Sequence, residues 1–155
     1  MSRVWLTEPQ GRLDLPQVTL CAAASVNVAA TVSAMRRCLE QVRFGEALIF
    51  TDAVNCDLPE NIRAVPIAPL RSVADYSHFM LRDLHRWMHG SHCLVVQWDG
   101  FVIDNSAWKQ NFLEMDYIGA PWPQFNDGYD VGNGGFSLRS RRLLACPRQA
   151  NGLKQ

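Results

Sequence analysis

One stretch constrains the fold more than any other: from Val18 to Val42 a buried-strand pattern hands over almost directly to a helical one. Val18-Thr-Leu-Cys-Ala-Ala is mostly apolar at consecutive positions, as a strand covered on both faces requires. Ser25 or Asn27 can then cap a helix whose apolar residues are Val28, Val32, Met35, Leu39 and Val42. Spacings of four and three draw one stripe along a helix, with Arg36, Arg37, Glu40 and Gln41 off it and Gly45 as its expected stop. A doubly covered strand followed by an amphipathic helix is the repeating unit of a parallel α/β sheet.

The rest of the chain continues that alternation. Ala47-Leu-Ile-Phe reads as a second strand, and Ala64-Val-Pro-Ile as a short third one that Pro66 and Pro69 push toward an edge. A second helix is expected from about Val73 to His89, with Tyr76, Met80, Leu84, Trp87 and Met88 on one side and Gly90 as its stop. Cys93-Leu-Val-Val-Gln is a further buried strand. At 155 residues the chain has room for one domain, placed at 1–144, with an unpatterned tail over 145–155. A hydrophobic content of 48% against 19% charged residues excludes a disordered chain.

Fifteen basic and fifteen acidic residues cancel, which argues against nucleic acid as a partner of the whole domain. The longest apolar stretch, Val18 to Val32, is interrupted by polar residues and falls short of the ~20 residues that cross a bilayer. Met1 to Pro16 is polar and carries no signal-peptide core. The five cysteines are widely spaced, without a C-x-x-C pair, so most read as small hydrophobes in a reducing compartment. A soluble, cytoplasmic protein of bacterial type is the expectation.

Charge is nonetheless unevenly spread. From Cys93 to Gly135 six acids face Lys109 alone, while Phe136 to Gln155 has five cations and no acid. That arrangement suits either a metal with a phosphorylated ligand or an ordinary solvated surface. No P-loop is present, and Ala24-Ser25 after the first strand lacks the dinucleotide glycines. The glycine cluster Gly132-Asn133-Gly134-Gly135 implies close approach of the backbone to a ligand or to a neighbouring strand. His78, His85, His89 and His92 gather around one helix; His85 and His89 share a face, but solvated histidines near a helix end explain them better than a metal.

Leu94-Val-Val-Gln-Trp-Asp-Gly-Phe-Val-Ile-Asp is the most informative segment. It carries Asp99 to the carboxyl end of a central strand, where ligands bind in open α/β sheets. An oxygen ligand there suits Mg²⁺ or Mn²⁺ on a diphosphate, although Asp99-Gly100 is equally a plain turn signal. Trp108 and Trp122 are either sugar platforms or core.

Together with Tyr76-Ser-His-Phe-Met, Asp116-Tyr-Ile-Gly-Ala-Pro-Trp and Val131-Gly-Asn-Gly-Gly-Phe-Ser-Leu-Arg-Ser, in chain order, that segment resembles the DUF5672 family, bacterial proteins similar to glycosyltransferases. The resemblance runs from Val18 to Leu144 and implies a GT-A fold, a Rossmann-like three-layer sandwich with a mostly parallel sheet. It implies a nucleotide-sugar donor held with a divalent metal, Mn²⁺ or Mg²⁺, and transfer to a glycan or other hydroxyl acceptor. Gln97-Trp98-Asp99 would occupy the place of the D-x-D motif, with Asp99 on the metal and Gln97 in place of the first Asp. Ala24, Ser25, Tyr76, Arg82, Gln97, Trp98, Gly134 and Gly135 would contact the donor, and Trp122 and Asn133 the acceptor.

The family's later His/Glu-Asp segment, where the general base and a last metal ligand are kept, does not follow before Gln155. The resemblance therefore implies a fold incomplete at its C-terminus. An inactive donor-binding remnant and a carbohydrate-binding module are the alternatives to an active transferase.

Overall fold

The computed structural model describes residues 11–53, 55–121, 124, 126–128 and 131–146. Six strands, β1 (Leu13–Ala23), β2 (Val42–Thr51), β3 (Arg63–Pro66), β4 (His92–Val95), β5 (Tyr117–Pro121) and β6 (Val131–Ser140), form one sheet. Their order is β3-β2-β1-β4-β6-β5. The pairs β3–β2, β2–β1 and β1–β4 are parallel, whereas β6 runs antiparallel to both of its neighbours. The expectation of a mostly parallel α/β sheet with β3 at an edge is met.

Strand alternation sends side chains to two separate cores. Leu20, Ala22, Ala47, Ile49 and Val96 pack under α1 (Val28–Gln41) through Val32, Met35 and Cys38. Cys21, Ala23, Leu48, Phe50, Cys93 and Val95 face the other way, toward Phe79, Met80, Leu84 and Met88. Phe50 anchors that side, its ring 4.9 Å from Phe79 and 6.0 Å from Trp87. Each such fully buried large side chain contributes about 1.5–3 kcal/mol by leaving water.

Several local expectations are corrected. Gly45 does not end the first helix: α1 stops at Gln41 and β2 starts at Val42. Gly45 lies inside β2 because a Cβ there would run into the Pro16 carbonyl, at the irregularity where the β1–β2 register shifts between Leu15 and Thr19. Gly90 likewise abuts the Gln17 backbone, and Ser91 N–H bonds the Gln17 carbonyl at 3.0 Å.

The expected second helix is one helical segment of changing pitch. It is α-helical over α2 (Val73–His78), a π-turn over Phe79–Asp83 and a 3₁₀ turn over Leu84–Trp87. Its apolar stripe survives the changes, since Met80, Leu84 and Met88 are buried and Tyr76 and Trp87 pack against them. Near the C-terminus, Ser140 caps a short helix, α3 (Arg141–Ala145), whose Leu144 is buried, in a stretch where no pattern is legible in the sequence.

Candidate functional site

The topology itself marks a crevice. From β1 the chain winds outward through β2 and β3, then returns across β1 to β4 on the other side. Such a reversal leaves the carboxyl ends of β1 and β4 uncovered between diverging crossovers, which is where ligands bind in open α/β sheets. A cleft of about 930 Å³ opens at this point. Its walls come from Ala23–Asn27 after β1, from Leu70–Val73 and Tyr76 around the start of α2, from Gln97 and Trp98 after β4, and from Tyr117, Gly134, Gly135 and Arg139.

Its rim is apolar. Of the seven large hydrophobic residues exposed among the described residues, Val26, Val73, Leu81 and Trp98 all line this cleft. Clustered apolar exposure of this kind marks a surface that something covers. Trp98 is 53% exposed and presents a ring suited to stacking on a base or a sugar.

The walls are tied together by local bonds. Asn27 starts α1 in a left-handed conformation (φ 54°) that Asn tolerates, and its side chain makes no cap; the cap role expected of Asn27 or Ser25 is filled by neither. Instead the Ser25 hydroxyl accepts the Leu70 N–H at 2.7 Å, pinning the loop after β1 to the one before α2. Tyr76 is half-buried; its hydroxyl, facing Gln97, has no hydrogen-bond partner of good geometry among the described residues. Burial raises the Tyr76 phenol above the ordinary tyrosine value, with Gln97 and the Arg139 charge pulling the other way.

After β4 the chain makes a tight turn, with Gly100 N–H on the Gln97 carbonyl at 3.1 Å. A Cβ on Gly100 would stand 3.3 Å from Phe136 and 3.8 Å from the Gly135 carbonyl, so the turn sits on the glycine block. That block is where β6 bulges: Ala120 pairs with Asn133 while the adjacent Gly119 pairs with Ser137, leaving residues 134–136 unpaired to β5. Asp99 lies in the turn, exposed, with no hydrogen bond or ion pair among the described residues.

Arg139 is the one charged side chain buried among the described residues, 6% exposed. Its Nε–H donates to Ser137 Oγ at 3.0 Å and its Nη2–H to the Gly134 carbonyl at 3.2 Å. The guanidinium also lies over the Tyr117 ring, 5.5 Å from the centroid. No carboxylate pairs with it among the described residues. Arg71 and Arg139 are the only charged residues on the cleft walls among the described residues.

Of the residues singled out from the sequence, the cleft brings together Ala24, Ser25, Tyr76, Gln97, Trp98, Gly134 and Gly135. Asp99 adjoins this set without lining the cleft, and Arg82 is exposed in the π-turn outside it. Trp122 lies outside the described residues, and Asn133 is placed only by its backbone pairing with Ala120. Trp108 belongs to the core, edge-on to Phe112 at 5.3 Å.

The histidines do not share one environment. His89 is exposed and bonds Glu46 at 3.3 Å, but His92 is buried in β4, bonding Met115 O and Ser91 Oγ at 2.9 Å each. Among the described residues no three His, Cys, Asp or Glu side chains converge as a metal cluster. Arg139 was legible in principle: in a strand through Phe136-Ser-Leu-Arg, Ser137 and Arg139 share a face by simple alternation.

No helix among the described residues is long and apolar enough to cross a membrane. No match is found among curated proteins. A family model described as "Protein of unknown function (DUF5672)" matches residues 60–151, more than half of the chain, a span holding α2, the Gln97–Gly100 turn and the glycine block. The chain therefore belongs to the DUF5672 family.

Proposed function

We propose that this chain is a GT-A-type domain that binds a nucleotide-diphospho-sugar together with a divalent metal and transfers the sugar to a hydroxyl acceptor. The observation that carries the reading is the cleft at the carboxyl ends of β1 and β4: large, apolar at its rim, aromatic within, and free of acids among its described lining residues. Tyr76, Trp98 and Tyr117 offer ring faces for the base and the sugar, and the cationic wall suits the diphosphate.

Asp99 fits a metal in one specific way. A lone unpaired carboxylate beside a phosphate-binding cleft can share Mg²⁺ or Mn²⁺ with donor oxygens and water, the ligand set Mg²⁺ prefers over an all-protein cage. When bound, such a cation withdraws charge from the departing diphosphate. Gln97, two residues earlier and facing Tyr76, would hydrogen-bond the donor's hydroxyls through its amide.

One observation favours the inactive, donor-binding alternative. No Asp, Glu or His is among the described residues lining the cleft, so no general base stands ready for an acceptor hydroxyl. Such a base contributes typically 10²–10⁴-fold, on the order of the difference between turnover and none. Calorimetric titration with UDP- and GDP-sugars, with and without Mn²⁺, tests the donor reading: metal-dependent heat that Asp99→Ala abolishes is the expected result. Binding indifferent to both metal and Asp99 would refute it. Nucleoside diphosphate release in the presence of hydroxyl acceptors then separates transferase from remnant.

A further inference from the structure

We infer that Arg139 is a built receptor for an oxyanion, phosphate or carboxylate, which it binds from the cleft without a metal. Three observations carry this. First, a buried cation is costly unless something compensates it, and Arg139 is 6% exposed with no carboxylate paired to it among the described residues.

Second, the guanidinium is held in place yet unsaturated. Of the five N–H donors that arginine carries, two are bonded among the described residues, to Ser137 Oγ and the Gly134 carbonyl. Nη1 makes no hydrogen bond among the described residues, and the guanidinium lines the cleft. A planar fork with free parallel donors is the geometry that takes an oxyanion in bidentate fashion.

Third, the surroundings make room for it. A Cβ on Gly134 would stand 3.0 Å from Nη2, so a side chain there would press on the guanidinium. The Tyr117 ring braces its face, and Arg71 adds a second positive charge to walls that carry no acid among the described residues.

This inference does not rest on the nucleotide-sugar reading. The oxyanion can come from a donor diphosphate or from an acidic sugar, and the test separates them. Full-length protein in EDTA is titrated with sodium pyrophosphate, with UDP and with glucuronate, in the wild type and in Arg139→Met and Arg139→Gln. Pyrophosphate or UDP binding assigns a phosphate and glucuronate binding a carboxylate. Either should weaken on the order of 10–100-fold in both Arg139 variants, as loss of charge-assisted hydrogen bonds requires.

The ligand-free melting temperature discriminates a merely structural arginine. Ser137 Oγ–H already donates to the Gly134 carbonyl at 3.3 Å, so removing Arg139 leaves both groups partnered. Arg139→Met should therefore melt no lower than the wild type without ligand. Arg139→Gln, which keeps an amide donor near the Nε position but loses the charge and the Nη donors, serves if the methionine variant fails to fold. Wild-type protein that binds none of the three anions, or variants that bind as tightly as wild type, would overturn the inference. So would a drop in the ligand-free melting temperature of both variants.

Discussion

Removing the Ser25 hydroxyl should loosen the cleft in a way that can be measured at one amide. Ser25 Oγ accepts the Leu70 N–H at 2.7 Å across forty-five residues of sequence, and both residues are cleft walls. Ser25→Ala leaves that N–H without its partner. A fully sealed donor would cost up to about 3 kcal/mol, but Leu70 is half-buried and water can partly replace the hydroxyl, so about 1–2 kcal/mol is expected. For a chain of this size that lowers the melting temperature by roughly 2–8 °C. Ser25→Thr keeps the oxygen and should stay near wild type. The assay is urea unfolding paired with amide hydrogen exchange: the midpoint should fall with the slope unchanged, and Leu70 N–H should lose its protection. An unaltered midpoint together with unaltered Leu70 exchange would refute the tether.

Other predictions rest on separate parts of the fold. Gly45→Ala and Gly90→Ala press a methyl group onto the Pro16 and Gln17 carbonyls, so each should destabilise by about 1–3 kcal/mol or more, and an unchanged thermal midpoint in either would contradict the packing described. Asp116 accepts from Arg142 at 2.7 Å and from Ser140 Oγ at 2.6 Å, and these bonds hold its carboxyl below the ordinary aspartate value. A depressed folded-state pKa stabilises above the unfolded value and loses that contribution as pH falls. The stability gap between wild type and Asp116→Asn should therefore be constant near neutrality and close below about pH 4, and a gap that widens with acid would exclude the linkage. Burial pushes the Cys38 thiol up to about 11, and Cys21 and Cys93 are also buried. A thiol reagent at pH 8 should label exposed Cys146 and half-buried Cys56 in the native state, with the other three following only on unfolding.

Much of this architecture was legible because it follows from periodicity. The apolar run Val18–Ala23 and the four-three stripe through Val28, Val32 and Met35 have no other good folded use than a covered strand and its crossover helix. What periodicity misses is tertiary contact. Gly45 reads as a helix stop until its partner, the Pro16 carbonyl twenty-nine residues away, is known. His92 looks like one of a solvated cluster, but β4 carries it inside to Met115.

The candidate site divides along the same line. Gln97, Trp98 and the glycines stand at a strand end and a bulge, both of which leave marks in sequence. For Arg139 alternation marks only the face it shares with Ser137; a basic residue in a basic stretch gives no sign of being buried, which its Ser137 and Gly134 bonds reveal.

The most direct test of the account is where a paramagnetic cation settles. In amide NMR spectra of the chain with UDP and substoichiometric Mn²⁺, signals of Gln97–Gly100, Tyr76, Gly134 and Gly135 should broaden. Those of Leu13 and Ser91, at the amino ends of the strands, should stay sharp. Broadening centred at that opposite end, or none that depends on UDP and on Asp99, would contradict a metal-assisted donor site at the sheet's carboxyl edge.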